Sequence, residues 1–244
     1  MKRIALALLT LATVFGQRPA TSTFQTSIDG VIAQIVDGGT WKTFITLVNT
    51  DDSAGTYRIL FYGDNGLPLV LQTTAGTGSE IQGTLGVGAS LQIATNGSSQ
   101  TVIQGWALVK TSNNISGQAL FRAKIAGRPD FEASVPIITY VDSTHYMLPY
   151  DSFITTTSIA IVNPLSFSNM TVFLTFRDED GTAYSIQSLT LGPLQHTAFT
   201  TWERYPVTIN HRGVIDIETS GLAMGLLGLR FGTETFTSII PLAK

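Results

Sequence analysis

Three histidines, three tryptophans and a scatter of loop carboxylates are the residues of this 244-residue chain that could do chemistry. A Ser/His/Asp site needs a serine activated on a sharp turn beside a base. No Gly-X-Ser-X-Gly occurs, and the histidines are His145, His196 and His211. The two halves of the chain match each other, and in that match His145 and His196 align with Val31 and Ser90. Their slots therefore accept residues that cannot act as a base. His211 precedes Arg212 in a turn. No two histidines fall at i, i+2 or i, i+4, and His-Glu-X-X-His is absent, so the imidazoles offer no metal framework. The chain has no cysteine, hence no thiol nucleophile, no thiolate metal site and no disulfide. Asp51-Asp52 and Asp178-Glu179-Asp180 supply hard oxygen ligands of the kind Ca²⁺ takes. The EF-hand spacing is missing, however, and Asp/Asn-Gly is what a hairpin turn requires in any case. Neither metal nor cofactor is expected.

The aromatic residues suggest contact rather than catalysis. Trp202 and Tyr205 flank Glu203-Arg204 in a polar loop, where exposed rings could stack on sugars. Trp106 stands out for a different reason. In the matching strand of the second half, Asp216 and Glu218 must face outward, so Ile215 and Ile217 face in. Transferred to the first half, that register puts Ala107 and Val109 inside and Trp106, Leu108 and Lys110 outside. Tyr62 faces outward on a neighbouring strand. Outward Trp and Leu need a cover: the other half of the chain, a partner chain or a ligand. The other half is the first choice. Trp106, Leu108, Tyr62, Trp202 and Tyr205 are therefore the candidate binding residues, and no catalytic residue is assigned. Two polar pairs recur, Asp37/Asn49 and Asp151/Asn163. Shared by both halves, they read as turn-capping groups satisfying backbone.

The elements that must position these residues come as a repeat. Residues 31–49 align without a gap onto 145–163, 57–66 onto 172–181, 105–112 onto 213–220 and 131–136 onto 236–241. A unit of roughly 105–115 residues, present twice, implies two copies of one domain. Period-two alternation marks strands: Tyr57, Ile59 and Phe61 share the core face of one, and Val172, Leu174 and Phe176 that of its counterpart. Asp64-Asn65-Gly66 and Asp180-Gly181 supply turns. About seven or eight strands per copy fit a β-sandwich. They are expected near 30–36, 41–49, 56–62, 67–73, 89–95, 102–110, 116–124 and 131–138, then near 145–150, 156–163, 170–177, 183–190, 195–201, 212–219, 222–231 and 235–241. An insertion is expected within Thr73–Thr84, and no helix. The fold class is all-β: two tandem immunoglobulin-like β-sandwich domains, 28–140 and 141–244, related by internal duplication.

Compartment is read from residues 1–16. Lys2-Arg3 is followed by an apolar run to Phe15, too short to span a bilayer, then by small Gly16. A cleaved export signal is expected, with 17–27 as a flexible leader and no membrane span in the mature chain. Charged residues are 13% of the chain and the net charge is -3, with no Lys/Arg run. That argues against nucleic acid as a partner.

Four motifs carry a resemblance: the Trp-Lys-Thr strand ending in Leu-Val-Asn (Trp41–Asn49), the Asp-Asn-Gly turn at 64–66, the strand Leu191–Phe199 and the closing Gly228–Leu242. In them the chain resembles uncharacterised secreted bacterial proteins with tandem immunoglobulin-like β-sandwich repeats. The second half departs at Thr155-Thr156-Thr157, where the Trp-Lys-Thr signature would fall. The resemblance implies the sandwich fold and no enzyme activity.

The function expected is that of an exported, non-enzymatic structural or adhesion protein of the cell surface or extracellular space. Its partner would be a protein or a second copy engaged through edge strands, with leader 17–27 available as an added strand. A glycan-binding module is one alternative. A secreted hydrolase, with His196 or His211 beside an acid in a pocket, is another.

Overall fold

A computed structural model of the chain describes residues 28–112, 114–139, 143–220, 224–233 and 235–244. The expected signal and leader, 1–27, and most of the expected boundary, 140–142, lie outside the described residues. Among those described, the chain is all-β. Eleven strands come from its first part: β1 (Ile28–Asp37), β2 (Trp41–Asn49), β3 (Gly55–Gly63), β4 (Leu71–Thr73), β5 (Gly76–Gly78), β6 (Glu80–Leu85), β7 (Ser90–Ala94), β8 (Ile103–Thr111), β9 (Ile115–Ala123), β10 (Phe131–Pro136) and β11 (Ile138–Thr139). Nine come from the remainder: β12 (His145–Asp151), β13 (Thr156–Val162), β14 (Met170–Asp178), β15 (Ala183–Leu191), β16 (His196–Thr200), β17 (Arg212–Thr219), β18 (Gly225–Phe231), β19 (Phe236–Ile239) and β20 (Leu242–Ala243).

These strands form four larger antiparallel sheets, ordered β11-β1-β8-β3-β6, β10-β9-β2-β7, β15-β14-β17-β12-β20 and β16-β13-β18-β19, with a small β4-β5 hairpin beside them. Alternation explains the layering. Ile59 and Phe61 of β3, with Ala107 and Val109 of β8, point at Ile45, Leu47 and Phe121 of the second sheet. Val172, Leu174 and Phe176 of β14, with Ile215 and Ile217 of β17, point at Ile159 and Ile161 of the fourth. The faces left over on the first and fourth sheets are also apolar, and they meet. Val31, Trp106 and Leu108 belong to one buried cluster with Ala160, Val162 and Leu227. β1 is consequently covered on both faces, and Gly30 through Asp37 are all buried. Each large aliphatic side chain so enclosed contributes about 1.5–3 kcal/mol.

A polar latch closes one side of this contact. The turn Asp64-Asn65-Gly66 seats on the segment 193–196. His196 donates its backbone N–H to Asp64 O at 3.2 Å, and its Nδ1 lies 2.7 Å from Asp64 Oδ1. Gly66 is required there twice over: its φ is +77°, and a Cβ would stand 2.5 Å from Pro193 O.

Four expectations need correction. The strand expected at 67–73 is formed only over Leu71–Thr73. Pro68 has no N–H to donate to a ladder, and it makes an isolated bridge to Tyr62 instead. The edge strand beside β3 is β6, which lies largely inside the segment assigned to an insertion. The strands expected at 131–138 and 235–241 each break near a proline, Pro136 and Pro241. Beyond each proline the chain crosses to another sheet, as β11 beside β1 and β20 beside β12. Finally, Thr201–Arg204 forms one helical turn and Pro206–Thr208 a 3-10 turn where no helix was expected.

Candidate functional site

The contact between the first and fourth sheets is not sealed along its whole length. Beyond the buried patch around Trp106 it opens into a cleft of about 300 Å³. Apolar walls come from Val36 and Trp41 on one side and from Ala198, Leu229 and Phe231 on the other. Trp41 is held edge-on against Phe236, with ring centroids 5.4 Å apart. The polar groups are Gln34, Gln104, Ser158 and Thr200, with Glu203 the one charged lining residue among those described. Gln104 stands beside Val36 on the outer face of β8, and its Nε2 donates to Asp64 Oδ2 at 2.7 Å. Ser158 and Thr200 pair across β13 and β16 with their hydroxyls 3.2 Å apart. Gln34 projects from β1 where the ladder to β8 slips between Ile32 and Ile35. It is buried, and its Oε1 has no hydrogen-bond partner. A site of this composition can hold an uncharged ligand through carboxamides and hydroxyls. Among the described residues its lining holds no proton-transfer pair.

No protein-family model, curated protein or solved structure matches the chain.

The residues singled out from sequence divide into two groups. Trp106 and Leu108 face outward from the first core, as the register required, yet both are buried. The cover is the rest of the same chain: Trp106 Nε1 donates to Leu194 O at 2.8 Å, and the indole stacks on Tyr62 with centroids 4.9 Å apart. These three side chains join the sheets and do not form an open surface. Tyr205 is also buried. It packs against Phe176 and Phe199 in the second core, because the helical turn Thr201–Arg204 folds it back. Trp202, 39% exposed, faces a second open cleft with Phe153, Ile154 and Ile209. Sequence reasoning missed Gln34. The only signal was one carboxamide within the apolar run Val31–Val36.

Each histidine has a carboxylate beside it. His145 Nε2 contacts Asp216, whose other oxygen lies 3.5 Å from both Arg177 and Lys244. Burial opposes the charge on Asp216, but the hydrogen bond from His145 and the ammonium of Lys244 hold its carboxyl below the usual range. His211 Nδ1 lies 2.8 Å from Asp178 Oδ1, and its ring rests flat on Tyr184 at 4.4 Å. His196 is bound to Asp64 and its Nε2 is buried without a partner, so neither substrate nor solvent reaches it. Among the described residues no three His, Asp or Glu side chains converge as a metal site would require. Glu179 bonds Arg212 and Asp180 caps its own turn through Thr182 N–H.

The recurring asparagines are structural. Asn49 Nδ2 donates to Ser53, Leu85 and Gly86 carbonyls, and Asn163 Nδ2 to those of Ser168, Leu191 and Gly192. In each case Oδ1 accepts an N–H two residues on, from Asp51 and Leu165.

Proposed function

We propose that the chain is an exported, non-enzymatic structural or adhesion module made of two immunoglobulin-like sandwiches, 28–140 and 141–244, descended from one duplicated unit. The observation that carries this reading is the fusion of the two sheet pairs through Val31, Trp106, Leu108, Ala160, Val162 and Leu227. A body joined by a buried apolar contact transmits load and holds a fixed shape, as a scaffold needs. The duplication is supported by strand order: β11-β1-β8-β3-β6 corresponds to β20-β12-β17-β14-β15, and β10-β9-β2-β7 to β19-β18-β13-β16. Asn49 and Asn163 supply the same hydrogen bonds in each. The three His–carboxylate pairs serve docking and surface packing, which supports a non-catalytic role. The exposed Phe173 and Ile186 on the outer face of the third sheet offer a surface for a second copy or a protein partner.

Three measurements test the reading. Mass spectrometry of material recovered outside the cell should find an N-terminus within a few residues of Gln17; intact chain from Met1 confined to the cytosol refutes export. Beads coated with the protein should attach to producer cells or to one another. Hydrolysis of an ester, glycoside or peptide substrate that disappears in His196→Ala or His211→Ala would replace the scaffold reading with an enzymatic one.

A further inference from the structure

The cleft between the first and fourth sheets keeps a feature that folding alone does not require. β1 pairs Ile32 with Ala107 and then Ile35 with Gly105, so two residues, Ala33 and Gln34, stand opposite Trp106 alone. This is a bulge, a device that bends a strand and re-aims a side chain. The β12–β17 ladder of the third sheet runs from His145 to Asp151 with no such slip. The re-aimed side chain is Gln34, in the wall of the cleft and only 8% exposed, with its Oε1 unpartnered. In either orientation of the carboxamide, one polar end is spent on the buried side. An orphaned polar group of this kind is left with its desolvation penalty uncompensated. Leucine would fit an apolar strand there without that cost. A local rule broken at a cavity wall is where function is expected to reside.

We infer that this cleft binds a neutral saccharide residue, with the Gln34 carboxamide as its buried polar anchor and Trp41 as its ring platform. The ligand class follows from the lining. Among the described residues no basic side chain lines the cleft, so a carboxylate or phosphate would find no counter-charge there, and exposed Glu203 is the single acid of that lining. Carboxamides and hydroxyls both donate and accept, which suits a ligand whose polar groups are themselves hydroxyls. Trp41, Leu229 and Phe231 provide apolar surface for the C–H face of a sugar ring. The volume lies at the small end of ligand sites, room for one ring and not for a chain. The inference goes beyond the scaffold reading and stands or fails separately from it.

The test is saturation-transfer NMR of the purified protein with methyl glycosides of glucose, galactose, mannose and N-acetylglucosamine, each at about 10 mM, where millimolar affinity is detectable. At least one should bind. Gln34→Leu should weaken it about tenfold or more, the factor expected for losing a buried hydrogen bond, while the thermal midpoint holds or rises. Gln34→Met, of similar length without the amide, repeats the test should the leucine variant misfold. Trp202→Ala should leave binding unchanged. The inference is overturned if no glycoside binds, if binding survives both Gln34 variants, or if it is lost with Trp202 and not with Gln34.

Discussion

At the scale of single residues, the buried polar side chains do the most specific work, and the asparagines show how. Asn163 holds three backbone carbonyls of two loops against the end of β13. Asn163→Ala leaves them unpaired and should cost about 1–3 kcal/mol in urea unfolding. Asn163→Asp should cost more, because it sets a carboxylate oxygen where the donor was. Asp64 gives a pH-dependent counterpart. Burial opposes its charge, but hydrogen bonds from His196 and Gln104 hold its carboxyl below the ordinary carboxylate value. A carboxylate depressed on folding stabilises fully above its unfolded pKa, and that contribution fades as pH falls through the folded value. The urea midpoint of the natural protein should therefore exceed that of Asp64→Asn by a constant margin above about pH 5, with the gap closing toward pH 2. A gap that widens in acid would mean the latch is held by something else. Asn49 and Asn163 were legible in sequence because they recur with the same spacing. Gln34 was not, because one carboxamide among apolar neighbours does not announce a bulge.

At the scale of elements, alternation made most strands readable. It could assign inward and outward faces, as it did for Trp106 and Ala107, because side-chain period is fixed along a strand. It could not say what covers an outward face, since that depends on how whole sheets stack. Nor could it see the one-turn helix at Thr201–Arg204, which is too short to show periodicity, or the sheet-switching at Pro136 and Pro241. The stacked faces approach closely at Gly225 of β18, where a Cβ would stand 2.6 Å from Val31 Cγ1 and 3.1 Å from Val162 Cβ. Gly225→Leu should force the first and fourth sheets apart and lower stability by about 1–3 kcal/mol, as overpacking does. Trp106 should then become accessible to acrylamide quenching. The same substitution at Gly86, where a Cβ meets nothing within 4 Å, should leave both properties unchanged.

At the scale of the whole molecule, the buried contact between sheets predicts that the two sheet pairs unfold together. Intrinsic tryptophan fluorescence, far-ultraviolet circular dichroism and calorimetry should report one coincident transition, and Gly225→Leu should split it. Residues 28–140 expressed alone should expose Val31, Trp106 and Leu108 together and aggregate. A stable, soluble monomer of that fragment would show the contact to be dispensable. The burial of β1 on both faces has one more consequence, and it concerns time. β1 is among the first strands made, yet the strand that covers its outer face, β18, ends near residue 231. At the ordinary pace of synthesis, about 5–20 residues per second, some 10–40 s separate the two. For that interval Val31 and its neighbours present a sticky, half-finished surface, so a chaperone that shields nascent apolar strands should raise the yield of this protein more than that of a sandwich whose first strand is covered by its immediate neighbours.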